Sequence, residues 1–199
     1  MIDFETAYSW LNTFNSSCLG EGTRQFVSQL SENLRQERVG RLRMLADQLL
    51  ALSGEVAYED EQAECLVVCA RVRYRLNDLT AANETLRRAA DLYHGNRMTH
   101  QCAVVDWLRG WVLWNMPGEE QYLPGLALME SGVNRFQLLY AVHIAVDRRR
   151  RLWYRAKIEA MLHSIQEQVH MLDLRGAEPP GNAPPEPPAG AWQQEYPSE

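Results

Sequence analysis

At 199 residues the chain is long enough for one domain with a sizeable core. Its 46% apolar content and six tryptophans are those of a globular protein, and a net charge of −6 argues against a chain-wide nucleic-acid footprint. From Gly176 onward there are four glutamates, Glu178, Glu186, Glu195 and Glu199, and no Lys or Arg; removing these four from the total of −6 leaves the body at −2.

The opening Met1-Ile2-Asp3-Phe4-Glu5 has neither the basic region nor the apolar run of a secretory signal. No window approaches the ~18 apolar residues that a membrane span needs. A cytoplasmic protein with no membrane contact is expected. Cys18, Cys65, Cys69 and Cys102 then read as reduced, buried small hydrophobes rather than a disulfide framework.

Strand signals are nearly absent, and apolar residues recur at three- and four-residue spacing, so the fold class is all-α. In chain order the spacing predicts helices over 3–15, 22–37, 39–53, 59–76, 79–93, 98–115, 121–132 and 134–172. The breaks fall at Gly20-Glu21-Gly22, Ser53-Gly54, Asn77-Asp78, Gly95-Asn96, Pro117-Gly118 and Gly132. The segment Met98–Asn115 is apolar nearly all round and is expected at the centre of the layer. Residues 1–175 hold only Pro117 and Pro124, whereas Pro179 to Pro197 contribute seven more prolines. This divides the chain into a helical domain, 1–175, and an acidic, proline-rich tail, 176–199, expected to be disordered. Within the tail, Trp192 and Tyr196 belong either to a frayed end without function or to a short linear motif.

One internal pattern lies between Ala63 and Asn96. Two helices meet at the tight turn Leu76-Asn77-Asp78-Leu79, the first with Leu66-x2-Cys69-Ala70 and the second with Ala82-x3-Leu86-x2-Ala89. A looser copy follows, with Gly110 and then Gly125-x3-Met129-x2-Gly132. These spacings resemble the tetratricopeptide repeat, in a divergent form similar to that of bacterial regulatory proteins, well over residues 60–135 and weakly over 22–55. Arg73 departs from the family pattern, with Tyr74 adjacent to it. So does His94, and the step from Ala70 to Gly110 is longer than the usual ~34 residues. The resemblance implies a short right-handed α-solenoid of antiparallel helical hairpins. The long helix 134–172 would cap it, either packing back on the solenoid through Ile158, Met161, Leu162, Ile165, Val169 and Leu172 or pairing with a partner helix or a second copy.

Enzymatic signatures are missing: there is no glycine-rich phosphate loop, no Gly-x-Ser-x-Gly and no His-Glu-x-x-His. Glu167 and His170 have the spacing of a helical di-iron pair but lack the second copy such sites need. Cys65 and Cys69, with Cys102 or His100, lack zinc-knuckle spacing. No catalytic residue, cofactor or metal is therefore expected.

The candidate surfaces are two. Trp107, Trp111 and Trp114 share one helix face, and the equivalent positions one repeat earlier are Arg71, Tyr74 and Arg75. In the family, this helix lines the concave groove, so the six residues form either a partner-binding hot spot or, for the tryptophans, plain core. Arg148, Arg149, Arg150 and Arg151 read as an exposed mid-helix run, its charges solvated or paired or else meeting an acidic partner; nucleic acid has little support from the rest of the charge. The function expected is that of a non-enzymatic adaptor, scaffold or regulatory subunit binding another protein through the groove. The alternative is a regulator that sequesters a transcription or effector protein through the arginine-rich helix.

Overall fold

The computed structural model describes residues 1–11, 13–14, 39–144 and 146–176. The expected helix 22–37, Cys18 and the tail beyond Gly176 lie outside the described residues. Seven α-helices and no strand occur among the described residues: α1 (Phe4–Tyr8), α2 (Val39–Glu55), α3 (Glu59–Arg75), α4 (Leu79–Gly95), α5 (Thr99–Trp114), α6 (Tyr122–His143) and α7 (Arg148–Gly176). No helix among these residues is long and apolar enough to cross a membrane. The chain forms two compact units, Met1–Ile165 and the part from Gln166 on, of which the described portion is the helical end of α7.

From α2 to α6 each helix packs on the next in sequence. Leu42, Leu45, Ala46 and Leu49 of α2 meet Val68, Cys69 and Val72 of α3, which supplies the partner that the α2 stripe requires. The Cys69 thiol donates to the Ala46 carbonyl at 3.3 Å. Ala70 and Ala82, the small residues of the first repeat pattern, are fully buried in the adjoining helices α3 and α4. α5 is the central element. It contacts α4, α6 and α1 and buries residues on every side, among them Val105, Trp107, Leu108 and Val112.

The turns after α3 and α4 have the same construction. Asn77 and Arg97 take the left-handed conformation, at φ 59° and 56°. The next amide in each turn, of Asp78 or Met98, reaches back to the carbonyl of Arg73 or Tyr93 at 2.9 and 3.0 Å. These are the bonds that satisfy the last carbonyls of a helix. Asn suits that backbone, whereas Arg carries a Cβ penalty. The break expected at Gly95-Asn96 falls there, with Gly95 the last residue of α4 and Arg97 rather than the glycine in the left-handed position. The side chain of Asp78 then caps α4, accepting from the Ala81 amide at 3.2 Å.

Glycine serves a different purpose between α5 and α6. A Cβ on Gly110 would come within 2.5 Å of the Gly125 carbonyl oxygen, and one on Gly132 within 2.7 Å of the Ala103 carbonyl oxygen. The second repeat pattern thus marks where two backbones touch. For this reason the break expected at Gly132 does not occur: α6 runs through it to His143. Pro124 is tolerated in the first turn of α6, where an amide hydrogen has no helical partner. The single helix expected over 134–172 is two helices. The chain turns between His143 and Arg148, where Asp147 accepts from the Arg150 amide at 3.0 Å and starts α7.

The helix expected over 3–15 is shorter, α1 alone, followed by turns. Asp3 caps it by accepting from the Thr6 amide at 2.8 Å, and the Thr6 side chain together with that amide lowers the Asp3 pKa from its ordinary value.

Candidate functional site

Of the residues expected to line a groove, Arg71, Tyr74, Arg75 and Trp111 come together where α3 meets α5, and α1 lies against them. Phe4 is fully buried and stacks on Tyr74, with ring centroids 4.3 Å apart and planes 9° from parallel. The Glu5 carboxylate bridges two turns of α3. Its Oε2 accepts from Arg71 Nε at 2.9 Å and pairs with the same guanidinium's terminal nitrogen at 2.7 Å, while Oε1 lies 3.5 Å from Arg75 Nε. The guanidinium carbon of Arg71 lies over the Tyr8 ring, 4.5 Å from its centroid. Burial lowers the Arg71 pKa, but the bond from Glu5 and the neighbouring Tyr8 outweigh it, and the group ends above its ordinary value.

Further along, the His100 ring is sandwiched between polar partners at the start of α5. Its Nε2 lies 2.8 Å from the Trp10 carbonyl oxygen and its Nδ1 lies 2.9 Å from the Tyr154 hydroxyl. A carbonyl oxygen only accepts, so Nε2 carries the hydrogen and Nδ1 accepts from Tyr154. Burial lowers the His100 pKa and pushes Tyr154 up to about 12. Around this pair, Trp153 packs edge-on against Trp10 and Phe136. At the other end, the Ile2 amide donates to Ser164 Oγ of α7 at 3.0 Å. The segment Ile2–Leu11 therefore runs opposite to α5, with Phe4 near the end of that helix and Trp10 near its start.

The tryptophans divide. Trp107 is fully buried and Trp111 is 8% exposed, so neither presents a face to a partner, and both are core. The indole nitrogen of Trp111 donates to the Tyr74 hydroxyl at 2.9 Å, which fixes Tyr74 as the platform under Phe4. Trp114 is half-buried against Tyr122 of α6, with ring centroids 4.9 Å apart. Arg75 remains half-exposed beside an open hollow of about 350 Å³ lined by Tyr74, Arg75, Asn77, Leu79 and Asn115. Arg73 turns the other way and ties α3 to α4 through Thr85 Oγ1 at 2.8 Å.

The four arginines stand at the start of α7, not in mid-helix. Arg148 and Arg149 are exposed. Arg150 pairs with Asp147 at 3.2 Å and covers the Phe14 ring at 5.2 Å; Arg151 donates to the Ile144 carbonyl at 3.1 Å and closes the end of α6. Positive side chains at a helix start oppose its dipole, so only part of this cluster has a structural reason. Beside it, Val142, Ile144, Val146 and Leu152 are all at least half exposed.

Elsewhere the polar groups hold helices together. Asp106 of α5 is buried and accepts from Ser131 Oγ at 2.8 Å and from Arg135 Nε at 3.0 Å, both on α6. Burial pushes the Cys65 and Cys69 thiols up to about 11, which keeps them protonated near neutrality. No group of three or more His, Cys, Asp or Glu among the described residues is arranged to hold a metal ion.

Spacing along the sequence does not single out Phe4, Glu5, Tyr8 or Trp10, nor His100 as their partner. The only signal for them is the unusual density of aromatics near the start of the chain, Phe4, Tyr8, Trp10 and Phe14. No family model matches the chain, and no curated protein or solved structure matches it significantly.

Proposed function

We propose that this chain is a non-enzymatic protein-binding module, an adaptor or regulatory subunit built as a short right-handed α-solenoid of tetratricopeptide type. It takes its partner on the α3–α5 face, through Arg71, Tyr74 and Arg75. One observation carries this reading. That face already holds a short helix from a distant part of the chain by a ring stack and a carboxylate between two guanidiniums. Those contacts are ones any polypeptide with the right side chains can make, and Arg and aromatic side chains dominate such hot spots. In this reading Trp107 and Trp111 are the support of the surface, not its contacts.

The second reading places an acidic partner on the corner formed by Arg148, Arg149, Val142, Ile144, Val146 and Leu152. The exposed apolar group flanked by exposed arginines favours it. A transcription or effector protein sequestered there fits better than nucleic acid, because the body carries little net charge.

Affinity capture with the full chain as bait separates the two. A partner on the α3–α5 face is lost with Arg75→Glu and kept with Arg148→Ala/Arg149→Ala. The reverse pattern assigns the partner to the corner. Capture indifferent to both changes refutes both surfaces.

A further inference from the structure

We infer that the α3–α5 face recognises an acidic–aromatic helical segment of a partner protein, bearing Phe-Glu-x-x-Tyr in the register of Phe4, Glu5 and Tyr8, and that the chain's own Ile2–Leu11 occupies the face until such a segment displaces it. The inference rests on the module reading above and names its ligand.

The chemistry follows from what the resident segment shows. A ring at the first position lies flat on Tyr74, whose own orientation is fixed by Trp111. A carboxylate at the next position falls between Arg71 and Arg75, one helical turn apart on α3. A second ring three positions further on lies beneath the Arg71 guanidinium carbon. One arginine thus reads two features, the acid and the ring. A basic residue at the second position would meet two like charges.

Two observations mark the resident as replaceable. α1 spans only five residues, and a helix that short has no stability of its own in water, so it is formed by the face that holds it. It also leaves Arg75 half-exposed and the adjoining hollow of about 350 Å³ open. A partner segment whose side chains also reach Arg75 and this hollow gains contacts there that α1 does not make. It needs them. A tethered segment competes at an effective concentration on the order of mM, so an identical free peptide at about 1 μM is outcompeted roughly a thousandfold.

The test uses a fluorescent synthetic peptide with the sequence of residues 1–14 and the full chain. Glu5→Arg in the chain sets the resident against Arg71 and Arg75 at a partly exposed position. Phe4→Ala is the second variant, should the first lose helical content. Expected is peptide binding at least tenfold tighter to either variant than to the unsubstituted chain, with the gain abolished by adding Arg75→Glu. Equal, weak binding to the unsubstituted chain and to a variant with unchanged circular dichroism overturns the inference. So does a change in sedimentation from dimer to monomer on Glu5→Arg, which would place the segment on a second copy. If the peptide arm fails while partner capture still depends on Arg75, only the acidic–aromatic ligand falls. If capture is also indifferent to Arg75, the α3–α5 face is lost as a binding surface.

Discussion

The indole nitrogen of Trp111 donates to the hydroxyl of Tyr74, 37 residues earlier in the chain, at 2.9 Å. Because Trp111 is nearly buried, this bond makes it a bracket for a surface side chain. Trp111→Ala is expected to lower the unfolding free energy by ~3–5 kcal/mol, the cost of emptying an aromatic site in a core. Tyr74→Phe keeps the ring and removes only the acceptor, at ~1 kcal/mol. Denaturant titration followed by circular dichroism checks both. A Trp111→Ala protein with an unchanged midpoint would contradict the buried placement.

The glycines of α5 and α6 give a pair of opposite expectations. Gly110→Ala drives a methyl group toward the Gly125 carbonyl and the Met129 amide, and should destabilise the protein by ~1–3 kcal/mol or more. Gly54, near the end of α2, has nothing within 4 Å of the position a Cβ would take. Gly54→Ala should therefore stabilise by roughly 0.5–1 kcal/mol, through the backbone freedom removed from the unfolded chain. Thermal unfolding of the two variants side by side tests whether backbone contact or helix propensity governs each glycine.

Much of the fold is legible in local sequence. The turn at Asn77-Asp78 shows itself through residues that favour left-handed backbone and helix caps. The spacing of Gly110, Gly125 and Gly132 marks a close contact. The same spacing is ambiguous, because glycine is both a helix breaker and the residue that lets helices touch, and only the neighbour at Ala103 decides which applies at Gly132. The start of α7 is readable in Asp147, an acceptor before a helical run, but the four arginines that follow it hide the boundary inside one long charged stretch. The covering of the α3–α5 face has no periodic signature. Glu5 and Arg71 are 66 residues apart, and spacing rules describe residues that share an element, not those that meet across the fold.

Arg97 is an exposed non-glycine residue in a left-handed turn, at φ 56°. Arg97→Gly should relieve the Cβ crowding and raise the unfolding free energy by ~0.5–1 kcal/mol. The matched change Asn77→Gly should give less, because Asn tolerates that conformation. Equal effects at the two turns would argue that the Arg97 backbone is not strained.

His100 ties stability to acidity. Burial lowers its pKa in the folded protein, and Arg150 opposes a second positive charge. Below the ordinary value of about 6.5, the unfolded chain takes up a proton that the folded chain still refuses. Stability is therefore full above that value and declines as the pH falls through the depressed folded pKa. Protonation would also place a hydrogen on Nδ1, opposite the hydroxyl hydrogen that Tyr154 now points at it. His100→Gln, which can donate to Trp10 and accept from Tyr154, should flatten the unfolding midpoint between about pH 7.5 and about pH 5.5. The carboxylates Asp3 and Asp147, whose pKa values are lowered by hydrogen bonds to Thr6 and Arg150, act in a more acidic window. An unaltered slope in His100→Gln would assign the dependence to another group.

The bond from the Ile2 amide to Ser164 spans 162 residues of chain. During synthesis at roughly 5–20 residues per second, the segment Ile2–Leu11 is made about 8–30 s before the helix that receives its first amide. Phe4 and Tyr8 must wait for Tyr74 and Arg71, and Trp10 for His100 and then Trp153, before they have the neighbours that cover them. A nascent chain thus exposes this aromatic segment in stages, and ribosome-bound intermediates halted before residue 71, where none of these neighbours exists, should be more prone to aggregate than those halted after residue 153.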